Sequence, residues 1–286
     1  MNSLLKRNLL VFFRDRSSVF FSLLAVFIIL GLYILFLGDL IVDSMENVPG
    51  ARFLIDSWIM AGLLAVTPVT TSLGAMGTII LDKKYGQYKD FAVAPLNRAA
   101  ITAGYAVSGF IISVIMTLIT FILAEIYIVI YGGELLPLKA VLKVLGLILF
   151  NTAFSSIMMF YLVSWFRSVG AYSAACNVVG TLIGFLTGIY IPIGNLPEAV
   201  QTVIKVFPPS HMAVLFRRIM MERAESITFA GAPAEMLEKF RLEMGIVFKF
   251  GDTILSPGVS LLYVLFFLAL FLILSLSKLQ KKPHDV

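Results

Sequence analysis

Cysteine, histidine and charge are all scarce in this chain, and each scarcity removes a class of chemistry. Of 286 residues one is cysteine, Cys176, so neither an internal disulfide nor a cysteine metal cluster can form, and the residue reads as a small packing group. The two histidines, His211 and His284, leave no histidine metal site, and a Ser-His nucleophile would rest on His211 alone, which sits where a helix-start polar residue is expected. Charged residues amount to 14%, and Glu125 is the only acid within a long apolar run, so paired intramembrane carboxylates are lacking. No G-x-x-x-x-G-K-[ST] phosphate loop occurs, which excludes nucleotide hydrolysis by that route and means that any ATP energy comes from elsewhere.

What the chain has in quantity is apolar length. It is 59% hydrophobic with a mean hydropathy of +0.97, far from the roughly half-apolar, quarter-charged make-up of a soluble domain. Crossing a bilayer takes about 20 helical residues, and six stretches are long enough: 17–37, 58–81, 103–131, 140–166, 170–191 and 257–277. The expectation is one all-α integral membrane bundle, residues 1–286, not a soluble multidomain protein. Lys6, Arg7, Arg14 and Arg16 before the first stretch give it the look of a signal peptide, but it is too long and ends in Leu-Gly-Asp without a cleavage pattern, so a retained span is expected.

The net charge of +5 is distributed at the edges of apolar runs and does not form a tract, which argues for topology signals and against nucleic-acid binding. With the N-terminus inside, the cytoplasmic pieces 1–16, 82–102, 167–169 and 278–286 carry twelve Lys and Arg against Asp15, Asp82, Asp90 and Asp285. The outer loop 38–57 has Asp39, Asp43, Glu46 and Asp56 against Arg52, the bias expected of a short outer loop. Both termini are therefore expected in the cytoplasm. The outer segment 192–256 is charge-balanced, and long loops translocate regardless of charge.

Several segments are predicted as helices outside the spans. Residues 1–16 intersperse Leu4, Leu5, Leu9, Phe12 and Phe13 with basic groups, the pattern of a helix lying on the membrane surface, either a flanking anchor or a connector. In the outer segment two helix-like stretches begin at prolines, NLPEAV and PPSHM, and read as a re-entrant or interfacial pair; a third, amphipathic helix begins at Pro233. The segment 82–99 is basic and punctuated by Gly86 and Pro95.

Three features within the spans have two readings each. Glu125, with Lys143 as candidate partner, is an interhelical structural pair or a substrate-entry or proton-handling site. Thr67, Pro68, Thr70, Thr71 and Ser72 mark a place where a proline frees a carbonyl; the hydroxyls either bond their own helix or line a cavity. Gly180, Gly184 and Gly188 form a small-residue stripe at four-residue spacing, a packing face toward another helix of the chain or a second subunit.

Together these features resemble the permease subunits of type-2 ABC exporters, the bacterial group of drug, antibiotic, lipid and polysaccharide export permeases. The resemblance rests on LDKKYGQYKDFAVAPLNR, with Lys83, Lys84, Gly86, Pro95 and Arg98 between the second and third spans, where Asp82-Lys83 stands in place of the family's clearer acidic-basic opening. It rests also on Pro192, Pro197, Pro208 and Pro209 in GIYIPIGNLPEAVQTVIKVFPPSHMAVLFRR after the fifth span. It implies a non-catalytic transport subunit of the bacterial cytoplasmic membrane. Its partners would be a second permease copy or a paralogue and two copies of a separate ATPase, which holds ATP and Mg. On that reading Lys83, Lys84, Gly86, Lys89, Pro95 and Arg98 form the ATPase coupling segment. The second and fifth spans line the path through Thr67, Thr71, Asn177 and Thr181. An amphipathic drug, antibiotic, peptide or lipid-like cargo suits the spans better than an ion; a polysaccharide carrier, an ATP-independent transporter and an intramembrane enzyme are the alternatives.

Overall fold

The computed structural model describes residues 2–37, 48–93 and 98–280. Pro95, the loop acids Asp39, Asp43 and Glu46, and His284 lie outside the described residues, as do the side chains of Lys89 and Arg98. The protein is an all-α integral membrane protein; among the described residues the only sheet is a small hairpin, Lys249–Phe250 paired with Thr253–Ile254. Five helices are long and apolar enough to cross a membrane, and a bent pair makes a sixth if it is counted as one span.

The bent pair stands where the first span was expected as one helix. Helix α1 (Asn2–Arg14) turns at Asp15, whose carboxylate caps α2 (Arg16–Ser22) by accepting from the Ser17 amide and the Ser18 hydroxyl. After Leu23 the chain resumes as α3 (Leu24–Leu32), which loosens into a π-turn over Tyr33–Leu37. The two halves diverge by 53°. The break carries no proline; at its edge the Ser22 hydroxyl donates back to the Val19 carbonyl, an insertion that bends helices.

Helix α4 (Ala51–Lys84) is the mast of the bundle. It runs 34 residues, ten beyond the 24 of the expected 58–81: three at its end, and seven at its start, where Arg52 and Asp56, assigned to the loop by their charge, pair at one turn's spacing and extend the helix. Nearly every residue of its apolar window is buried, with Leu54, Leu63, Leu64 and Met76 fully enclosed. Pro68 lies inside it and removes the amide that would serve the Leu64 carbonyl. The Asn151 side chain, from a neighbouring helix, donates to Leu64 and Ala65 carbonyls at 3.3 and 3.1 Å.

Around the mast stand α6 (Arg98–Ile130), α7 (Leu138–Val163), α8 (Val169–Leu186) and α13 (Pro257–Gln280), with the short α5 (Gln87–Val93) between α4 and α6. Helix α6 shows why such chains read as membrane spans: Ile112, Met116, Thr120 and Ala124 face inward, while Ile115, Ile119, Ile122 and Ile126 form an exposed apolar stripe. The segment after α8 folds back on the bundle as α9 (Glu198–Val206), α10 (Pro208–Met220), α11 (Glu222–Thr228) and α12 (Ala234–Glu243). Pro197 and Pro233 cap α9 and α12, and Pro208 opens α10. Helix α10 is almost entirely buried against α4, α7 and α13, so it belongs to the core and not to a surface loop.

Candidate functional site

Two places stand out, a polar junction at one end of the bundle and a cavity along its side. At the junction, Arg7 of α1 grips Asp82 near the end of α4 with both guanidinium nitrogens, at 2.5 and 2.7 Å, and donates to Gln87 of α5 at 2.9 Å. Tyr105 of α6 donates its hydroxyl to the same Asp82, and Arg7 lies over the Phe91 ring of α5. Asp82 is 2% exposed, so this fork pair sits in a medium where charge-assisted bonds are strong. The carboxylate holds the Arg7 guanidinium above its ordinary pKa. Leu4, Asn8 and Phe12, one turn apart, bury the inner face of α1, and Asn8 donates to Ser108 of α6. One carboxylate thus fastens α1, α4 and α6 to each other, and Arg7 adds α5.

The segment expected to couple forms a helix here. Gly86 takes φ +81°, a left-handed conformation that turns the chain out of α4 and into α5, with open space where a Cβ would stand. Lys83 and Lys84 follow Asp82 at the helix end, Lys83 toward the face of Tyr88 and Lys84 toward that of Tyr85. The backbone of Lys89 lies in α5 and that of Arg98 begins α6. Asp82 itself is the central residue, and sequence reading passed over it because its partner, Arg7, is 75 positions away.

The cavity, of about 970 Å3, lies between the bent α2–α3 pair, α4 and α8. Its wall mixes apolar groups such as Phe21, Leu73 and Phe185 with Ser17, Thr70, Asn177 and Thr181. Asn177 and Thr181 therefore line it, but Thr67 and Thr71 do not. Thr67 donates to the Leu63 carbonyl, and Thr71 bonds the Thr67 carbonyl and the Ser113 hydroxyl of α6, both on the buried side of α4. Thr70, one residue and about 100° round the helix, takes the wall position instead.

A family model described as ABC-2 type transporter matches residues 1–221. The chain belongs to that family. No curated protein matches it. As an ABC-2 permease it is the membrane-spanning transport subunit of an ABC transporter, a family that works with an ATP-binding partner. The match takes in the junction, the cavity and α10, and stops short of α12 and α13.

In this permease the glycine stripe is not one helix face. Gly188 lies beyond the end of α8 at φ +65°, and the Ile189 and Gly188 amides donate to the Gly184 and Phe185 carbonyls, a Schellman ending. The fifth span thus stops at Leu186, short of the expected 191. A Cβ on Gly184 would meet the Tyr190 ring at 2.3 Å, and Gly180 faces the cavity. The stripe admits an aromatic ring of its own chain.

Glu125 does not pair with Lys143. One oxygen accepts the Leu136 amide at 3.0 Å, closing the turn between α6 and α7; the other is buried without a partner, and Lys143 is exposed. His211 lies within α10, where Nε2 donates to the Lys205 carbonyl at 2.9 Å and Nδ1 therefore accepts from Ser260.

The end of the permease opposite the junction has its own fastening, invisible in sequence. Arg217 of α10 is fully buried, and among the described residues no acid pairs with it. Its guanidinium donates to the Gly188 carbonyl at 2.9 Å, to Gly245 at 3.2 Å and to Thr187 at 3.4 Å, and stacks over Trp58 at 4.6 Å. The counter-charge is the negative ends of two helices, α8 and α12, whose last carbonyls converge there. Trp58 in turn donates to the Met244 carbonyl.

Proposed function

We propose that this permease moves an amphipathic cargo, a drug, antibiotic, peptide or lipid-like molecule, outward across the bacterial cytoplasmic membrane by alternating access. Both termini face the cytoplasm. A second permease, a copy of this chain or a paralogue, completes the path, and two copies of a separate ATPase with bound ATP and Mg supply the energy. Residues 82–99, through Lys83, Lys84, Gly86, Lys89, Pro95 and Arg98, meet the ATPase, and α1 receives the same displacement through Arg7 and Asp82.

The observation that carries this reading is the cavity between α2–α3, α4 and α8. Its apolar wall broken by Ser17, Thr70, Asn177 and Thr181 suits a molecule with an oily body and a few hydrogen-bonding groups, and suits a polysaccharide poorly. Closure of the ATPases would bias two arrangements of the bundle, and cargo contributes only its different affinity for each.

The test is affinity purification of the tagged full chain from its native membrane in mild detergent, with mass spectrometry of stoichiometric partners. Recovery of a soluble ATPase that is lost when residues 82–99 are altered supports the reading. Recovery of the permease alone overturns the proposed partnership.

A further inference from the structure

A second, smaller cavity of about 170 Å3 opens beside the junction, between α4, α6, α7 and α13. Two lysines from different spans line it, Lys83 from the end of α4 and Lys278 from the end of α13, together with Tyr105, Ser164 and Ser275. Lysines at helix ends ordinarily snorkel apart toward water. These two converge on the same cavity.

Among the described residues no carboxylate pairs with either lysine, and Asp82, next to Lys83 in sequence, is committed to Arg7 and Tyr105. Their partners are neutral. Lys278 donates to the Ser164 carbonyl at 3.0 Å and lies 3.7 Å from the Trp165 ring centre, and Lys83 faces the Tyr88 ring. The same cavity holds an unspent hydroxyl. Ser275 is 7% exposed and its Oγ has no hydrogen-bond partner, although a helical serine can bond a carbonyl one turn back, as Ser277 does with Leu274.

Two ammonium groups with no carboxylate partner among the described residues, Lys83 exposed and Lys278 half-buried, together with an idle hydroxyl make a donor set that suits an oxyanion. The volume is several times the roughly 30 Å3 share of a water molecule, enough for a tetrahedral group. The cavity lies at the ends of the spans, the part of a membrane helix where basic pockets take phosphate-bearing headgroups. We propose that this cavity binds a phosphate group, with Lys83 and Lys278 supplying charge and Ser275 a hydrogen bond. Such a ligand would join the last helix to α4 beside the polar junction.

The phosphate can belong to an anionic phospholipid or be free in solution, and two arms separate these sources. In the first, the full chain in nanodiscs of equal parts phosphatidylglycerol and diacylglycerol is analysed by native mass spectrometry. Lipid binding predicts about a tenfold preference for phosphatidylglycerol at one retained site, the ratio given by about 1.4 kcal/mol. In the second, thermal unfolding is followed with inorganic phosphate against chloride at matched ionic strength, and a higher midpoint in phosphate alone indicates the soluble ligand. Either signal should vanish in K83Q/K278Q, persist in K83R/K278R and weaken in S275A. If the glutamine pair fails to fold, S275A and the two arms on the unaltered chain decide. Absence of both signals, or a signal unchanged in K83Q/K278Q, overturns the site.

Discussion

The side-chain amide of Asn151 takes the place of the backbone amide that Pro68 lacks, donating across the helix interface to the Leu64 carbonyl. In hydrocarbon no water can do this, so the proline and the asparagine form a unit. Asn151→Leu should cost about 1–3 kcal/mol, the penalty of stranding a buried acceptor. Adding Pro68→Ala should recover most of it, since alanine restores the amide. Unfolding midpoints of the four proteins of that double-mutant cycle measure the coupling, and additive effects would show the two residues to be independent.

At the other fastening, Arg7 and Asp82 make the same contact from opposite partners. Arg7→Asp or Asp82→Arg alone should break it and lower ATP-driven transport in the reconstituted complex. The double exchange should restore part of it. Equal loss in single and double variants would assign the effect to each residue separately and not to their bond.

Gly86 offers a clean separation of backbone from packing. No atom stands within reach of an added Cβ, so Gly86→Ala costs only its left-handed φ, about 1–2 kcal/mol, and Gly86→Asn less. Proline cannot adopt that φ at all, so Gly86→Pro should misdirect α5 while leaving the bundle folded. The expected result is ATP hydrolysis by the partner without transport. Full transport by the proline variant would remove α5 from the coupling route.

The cavity wall and the helix interior should respond differently to the same chemical change. Asn177→Leu and Thr181→Val alter the wall and should shift the apparent cargo affinity with little effect on the melting temperature. Thr71→Val removes a buried hydroxyl pair with Ser113 and should lower the melting temperature instead. Transport and thermal unfolding measured side by side on the three variants distinguish these outcomes.

How legible these features are in the sequence follows the range of the interaction that makes them. Proline at the start of a helix acts on its own next turn, and the starts at Pro197, Pro208 and Pro233 could be read directly. Gly188 shares the spacing of Gly180 and Gly184, and only the φ angle reveals it as a terminus. Thr70 and Thr71 are indistinguishable by composition, yet about 100° of helix rotation puts one in the cavity and the other in the core. The break at Leu23 carries no Gly or Pro signal. Arg217 reads as one more basic residue of a balanced loop, because its partners are backbone carbonyls that every sequence possesses.

The length of α4 has a mechanical consequence. Its 34 residues span about 51 Å, well beyond the ~30 Å of a hydrocarbon core, and each end is clamped, by Arg7 and Tyr105 at Asp82 and by Tyr33 at Asp56 and Tyr127 at Arg52. Pivoting near Pro68, close to its midpoint, a rod of this length would act as a first-order lever. A tilt of about 10° would carry each tip about 4 Å, in opposite directions. An opening movement at one face of the membrane would then be a closing movement at the other, carried by a single helix with no intervening relay.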